Sequence, residues 1–261
     1  MSRRRGSGGL LSFFGIATIV LIVLNVIVFF GVQMTDELKI YDINWAENCT
    51  KNKYTANAVY NEEYYACPKS ATRDGGYDID YCKKISDDAC IYTYTDGLSL
   101  VGKNASEKPW TFITSMFMHV DLNHLFGNML FLFILGGIVE AAIGIRKYLL
   151  LYFLAGIFGG ITMIFMTSVG LVSDNVSILG ASGAIFGVLG AAAILRPMQI
   201  IYIYFLPMPL IVIGLIYIGL QAFYIFTGGE AGVANGAHMG GAIVGIIAAI
   251  YLRNKAKKQE I

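Results

Sequence analysis

The chain has 261 residues, 56% of them hydrophobic and only 14% charged, with a formal net charge of +1 at neutral pH. Soluble domains carry roughly 45–50% apolar and about 25% charged residues, so an ordinary soluble globule and a disordered chain are both excluded. So neutral a balance also gives no reason to expect a nucleic-acid partner.

In chain order, a short segment 1–9 carries Arg3, Arg4 and Arg5 and precedes an apolar run over 10–33. At about 1.5 Å per residue that run crosses a hydrocarbon layer of about 30 Å. It is longer than the roughly 7–15 residues of a signal-peptide core and lacks a convincing cleavage site, so it is expected to be an uncleaved span. Residues 34–110 are polar and hold 22 of the 37 charged residues. Further apolar runs cover 112–140, 148–168, 182–195, 200–226 and 234–252, and a basic tail covers 253–261. The expected fold is an all-α polytopic membrane protein. It has six transmembrane helices, a core over 111–252, and one large polar outer loop between helices 1 and 2. The fourth run is short, which suggests that it begins below the membrane surface.

Outside 34–110 there are ten basic residues: the three N-terminal arginines, Arg146, Lys147, Arg196, Arg253, Lys255, Lys257 and Lys258. With six spans, all ten fall on one side, and basic residues collect on the cytoplasmic side. The opposite loops, around Asp174 and Glu230, carry acids and no bases. Both termini are therefore expected in the cytoplasm and 34–110 outside, in the plasma membrane. All four cysteines, Cys49, Cys67, Cys82 and Cys90, lie in that outer segment. An even number confined to an exported segment reads as two disulfides, with three pairings open. Sequons at Asn48, Asn104 and Asn175 fall on the same outer side and are compatible with glycosylation.

Polar groups in a span are costly, so each marks a functional site by default. Three clusters stand out: His119, Asp121, Asn123, His124 and Asn128 in the second span, Gly180–Gly187 at the start of the fourth, and Asn235, Gly236, His238, Gly240 and Gly241 in the sixth. His124 and Asn128 are four apart and share a helix face. Ser182 sits in the first turn of its helix, beside unpaired backbone N–H groups that favour negative charge. All three spans run the same way through the membrane, so the clusters meet near the outer face. Small-xxx-small pairs, Gly183 with Gly187, Gly236 with Gly240 and Gly241 with Gly245, suit close contact of the fourth and sixth spans. Close approach would put His238 within reach of Ser182 as general base to nucleophile, with His124, Asn128 and the Ser182 N–H as oxyanion donors. Taken singly, each feature has an ordinary explanation: a serine bonding back to its own helix, an interfacial or relay histidine, glycine packing.

Together, H-x4-H-x3-N, G-x-S-G and A-H-x-x-G, in this order on spans two, four and six, resemble the rhomboid family of intramembrane serine proteases. The resemblance runs from about Trp110 to Leu252 and includes Gly136-Gly137-Ile138-Val139-Glu140. It implies Ser182 as nucleophile and His238 as base in a dyad with no carboxylate, and His124 and Asn128 at the oxyanion. It implies supporting roles for His119, Gly180, Gly183, Phe186 and Gly241, with Phe186 stacking on the base. Trp110-Thr111 stands where many members have Trp-Arg, so that loop must be stabilised otherwise, and Phe186 lacks a tyrosine's hydroxyl.

The implied activity is intramembrane endoproteolysis of transmembrane protein substrates from the lipid bilayer, near the outer face, through an acyl-enzyme. No metal or other cofactor is expected. Pro207 and Pro209 would weaken the fifth span as a gate, the loop 227–232 would act as a lid, and His124, Asn128 and Asn235 would line a water cavity. Rival chemistries leave no marks. H-E-x-x-H is absent, as are Gly-x-Gly-Asp and G-x-S-x-G. The chain shows no transporter-like repeat. The remaining alternative is a catalytically inactive rhomboid-like protein that binds or escorts membrane clients.

Overall fold

The computed structural model describes residues 15–33, 39–42, 50–55, 63–71, 77–86, 89–92, 97–102, 105–172, 176–203, 205–227 and 234–259. Five helices are long and apolar enough to cross a membrane, and a sixth apolar helix is shorter. The first is α1, Ile16–Val28, extended by a wider turn over Phe29–Gln33. The short α2, Thr111–Thr114, leads through a tight turn over Ser115–Phe117 to α3, Leu122–Ile143. Gly144 alone separates α3 from α4, Ile145–Ser168. Then come α5, Ser182–Leu195, α6, Leu210–Thr227, and α7, Asn235–Gln259. Every long helix turns large apolar residues outward, among them Val23, Phe133, Leu154, Leu215, Phe223 and Ile247. A surface so apolar on all sides is stable in lipid and aggregates in water. The molecule is a predominantly helical, multi-pass membrane protein.

Two spans begin later than hydropathy alone indicates. The second was expected from residue 112, but its helix starts at Leu122 because the Asp121 carboxylate accepts the His124 N–H at 2.7 Å and caps it there. The fifth was expected from residue 200. Instead β8, Ile200–Ile203, pairs antiparallel with β9, Leu206–Pro209, and the helix begins at Leu210. Pro207 and Pro209 therefore lie on β9, outside α6, and do not weaken that helix. Each proline holds its predecessor extended, which suits a hairpin arm. The turn is made by Phe205 with φ 72°, and it is almost fully exposed.

The polar segment between α1 and α2 is richer in strand than an all-α fold allows. β1, Lys39–Asp42, β2, Thr50–Thr55, β3, Glu63–Ala71, β4, Tyr77–Ser86, and β5, Ala89–Tyr92, form one antiparallel sheet in the order β1-β5-β4-β3-β2. Cys67, Cys82 and Cys90 fall on β3, β4 and β5. Their side chains, and Cys49 altogether, lie outside the described part, as do Asn48, Asn104 and Asn175. The far end of the segment is tied to the bundle: β6, Leu100–Val101, pairs with β7, Ser177–Ile178.

Near the C-terminal end of α3, Glu140 fastens α1 to α3. Its buried carboxylate accepts the backbone N–H of Ala17 at 3.0 Å, that of Thr18 at 2.8 Å and the Thr18 hydroxyl at 2.9 Å. The first turn of α1 has no side-chain cap of its own, so Glu140 supplies one from a distant part of the chain.

Candidate active site

The α5 helix has 14 residues, about 21 Å of rise against a hydrocarbon layer of about 30 Å. At that length α5 is shorter than the layer is thick. The chain reaches it through Gly180 at φ 119°, a conformation that L side chains rarely adopt. The Gly180 N–H donates to the Ser115 carbonyl at 2.9 Å, fixing the turn before Ser182.

Ser182 Oγ lies 2.7 Å from Nε2 of His238, which is on α7 and almost fully buried. The seam between the helices sets this separation. A Cβ on Gly241 would land on the Gly183 carbonyl, and one on Gly245 on the Gly187 carbonyl, so only glycine lets the two backbones touch. Gly236 and Gly240 serve a different contact, against Met163, Met166, Thr162 and Phe158 of α4. Phe186, one turn below Ser182, stacks on the His238 ring at 4.3 Å and 9°.

His124 and Gly180 are in close contact: a side-chain carbon at Gly180 would sit 3.0 Å from His124 Nε2 and 3.7 Å from Ser182 Oγ. His124 Nδ1 accepts the Val120 N–H at 3.3 Å, so the neutral ring carries its proton on Nε2, the nitrogen facing the serine turn. Asn128 is buried and donates one amide N–H to the His124 carbonyl at 3.0 Å. Its second N–H remains a donor. A cavity of about 20 Å³ beside Ser182 is lined by Ser115, Met116, Gly156, Gly160 and Ala237 among others.

His119 lies outside the serine–histidine contact. It is fully buried with its ring edge-on to His124 at 5.1 Å. Burial, reinforced by the neighbouring His124, pushes its pKa down to about 4. Its backbone is gripped at both ends by Gln33, whose amide donates to the His119 carbonyl at 2.7 Å and accepts the His119 N–H at 2.8 Å. The loop before α2 is held by the Trp110 indole donating to Gly97 at 3.0 Å and Thr114 donating to Leu98 at 2.7 Å. Asn235 opens α7, and the loop 227–232 lies outside the described residues beyond Thr227.

Sequence reasoning passed over two amides. One is Gln33; the other is Gln221 on α6, whose Oε1 lies 2.8 Å from Nδ1 of His238. Both were visible as amide side chains in otherwise apolar runs, the same signal that marks a polar group in a span.

Residues 106–255 match the model of the family described as Rhomboid domain. The chain is 31% identical over 157 residues to the RHOMBOID-like protein 12, mitochondrial, of Arabidopsis thaliana, covering 55% of this chain and 46% of that one. It is 31% identical to the Rhomboid protease AarA of Providencia stuartii, covering 54% and 55%, and 28% identical to the Rhomboid protease GlpG of Haemophilus influenzae, covering 58% and 73%. The match spans about half the length of the Arabidopsis and Providencia proteins. With more than half of its residues inside the matched domain, the chain belongs to the rhomboid family.

Proposed function

We propose that this protein is an intramembrane serine endopeptidase that cleaves transmembrane segments of membrane-protein substrates near the outer face. The observation that carries this reading is the 2.7 Å contact between Ser182 Oγ and His238 Nε2 at the start of the short apolar helix α5. A serine hydroxyl is a weak nucleophile until a base takes its proton, and this imidazole is within hydrogen-bonding reach. Ser182 Oγ attacks the peptide carbonyl carbon while its proton passes to His238 Nε2. Negative charge collects on the carbonyl oxygen, met by the Ser182 N–H at the start of α5, the His124 Nε2–H and the free Asn128 N–H. Collapse breaks the C–N bond, and His238 returns the proton to the departing amine. Water, activated by the same histidine, then releases the acyl group from Ser182.

His119 and Gln33 hold the start of α3, Phe186 holds the ring plane of His238, and Gly180, Gly183 and Gly241 permit the close approaches. The cavity beside Ser182 has room for about one water-sized group, which supports cleavage next to small residues. Ser182–Leu195, added to the five longer helices, makes six spans and is the fourth in chain order. The termini lie in the cytoplasm and the 34–110 segment outside, in the plasma membrane. The names of the Arabidopsis relative and of a yeast relative include the word mitochondrial, which describes those proteins.

The test is labelling of the purified protein by a fluorophosphonate, comparing wild type with Ser182→Ala and His238→Ala. Labelling is expected in wild type and in neither variant. A wild type that neither labels nor cleaves a model transmembrane substrate in lipid would overturn the protease reading in favour of a client-binding protein.

A further inference from the structure

A serine–histidine dyad leaves the second ring nitrogen of its histidine unassigned. Here it has a partner. Nδ1 of His238 is 2.8 Å from Oε1 of Gln221, and both side chains are buried. The orientation of the amide follows from its other end: its nitrogen lies 3.5 Å from the Tyr217 carbonyl, one turn earlier on α6. A carbonyl only accepts, so the amide nitrogen belongs at Tyr217 and the amide oxygen at His238. An amide oxygen also only accepts, so the ring nitrogen facing it carries the proton. A neutral imidazole has one such proton, which leaves Nε2, the nitrogen at Ser182, with its lone pair exposed.

We propose that Gln221 is a positioning residue that holds His238 in its Nδ1–H tautomer and aims Nε2 at the Ser182 hydroxyl, in the place where other serine hydrolases put a carboxylate. The inference rests on the serine–histidine reading above. An amide suits this depth. A buried carboxylate would have to be desolvated and would need a partner of its own, whereas a neutral amide sets tautomer and direction without a charge. With Phe186 against its face and Gln221 at its far edge, the ring has no second way to present a nitrogen to Ser182. The motif read on spans two, four and six thus gains a member on the fifth.

The experiment uses the full chain in lipid nanodiscs with ring-¹⁵N histidine, His238 being assigned by the signal lost in His238→Ala. In wild type the His238 spectrum is expected to show a protonated Nδ1 and an unprotonated Nε2. In Gln221→Met, which keeps length but has no oxygen, the tautomer preference is expected to be lost and fluorophosphonate labelling to slow by about tenfold or more. Gln221→Glu, which keeps an acceptor, is expected to restore both. A wild-type spectrum with the proton on Nε2 would overturn the proposal without any variant. So would a Gln221→Met protein with an unchanged spectrum and labelling rate. Absence of labelling in wild type would instead count against the protease reading, while the ring spectrum would still decide the role of Gln221.

Discussion

Where α5 meets α7, backbone lies on backbone: Gly241 and Gly245 face the carbonyls of Gly183 and Gly187, and Gly190 faces that of Ala242. Where α6 meets the same bundle, contact is made by side chains: Gly214 backs onto the Ala193 methyl, Tyr217 meets Phe131 at 5.6 Å, and Gln221 meets His238. Most of α6 looks outward, with Leu215, Phe223 and Phe226 exposed. A backbone seam has no rotamers to adjust, so it fixes the separation of Ser182 and His238. A side-chain seam can repack, so the direction of the His238 ring depends on a wall that is easier to alter.

The largest effects are expected where the two seams meet, at Ser182 and His238. Ser182→Ala and His238→Ala are expected to lower cleavage of a model transmembrane substrate by roughly a thousandfold or more, with the thermal transition little changed. Gly241→Ala or Gly245→Ala should separate α5 from α7, costing about 1–3 kcal/mol or more, and labelling should fall with the melting temperature. Phe186→Ala removes the stack on His238 without opening the glycine seam. A loss of about 0.5–1.5 kcal/mol, read as a slower labelling rate, is expected.

A region outside both walls gives a pH test. The pKa of His119 is held at about 4 in the fold against 6.5 for the free group, so the unfolded chain binds more protons between these values. The His119 contribution to stability is then complete above about pH 6.5 and is lost as the pH falls toward 4. The melting temperature should drop across that window more steeply in wild type than in His119→Asn. The smallest effect is expected at Gly219 of α6, where an added Cβ meets nothing within 4 Å. Gly219→Ala should be neutral or stabilise by at most about 0.5–1 kcal/mol, because alanine suits a helix better than glycine. A large loss there would end the distinction between the two seams.

Much of this was legible from residue types alone. Long apolar runs marked the spans, since lipid demands them, and the spacing of His124 with Asn128 and the position of Ser182 in a first turn followed from helix geometry. Hydropathy counts apolar residues and is blind to hydrogen bonds, so it misplaced the starts of α3 and α6. The capping carboxylate of Asp121 decides the first, and the proline-bearing hairpin decides the second. It also cannot register strand pairing in a polar segment, which is why the five-stranded sheet between α1 and α2 went unread. Gln221 was missed because its partner lies on another helix and the amide belongs to no local pattern. Only the packing of α6 on α7 turns it toward His238.

The remote cap on α1 bears on how the protein is made. Helix α1 leaves the ribosome with its first N–H groups unprovided for, and the carboxylate that answers them follows 122 residues later. Insertion and docking of the first span are thus separate events, the second waiting until α3 has been synthesised. The clasp is also a linkage that needs no continuous chain. Co-expressing α1 and the remainder as two fragments should let Glu140 gather them, and Glu140→Ala should abolish that assembly before it abolishes the insertion of either piece.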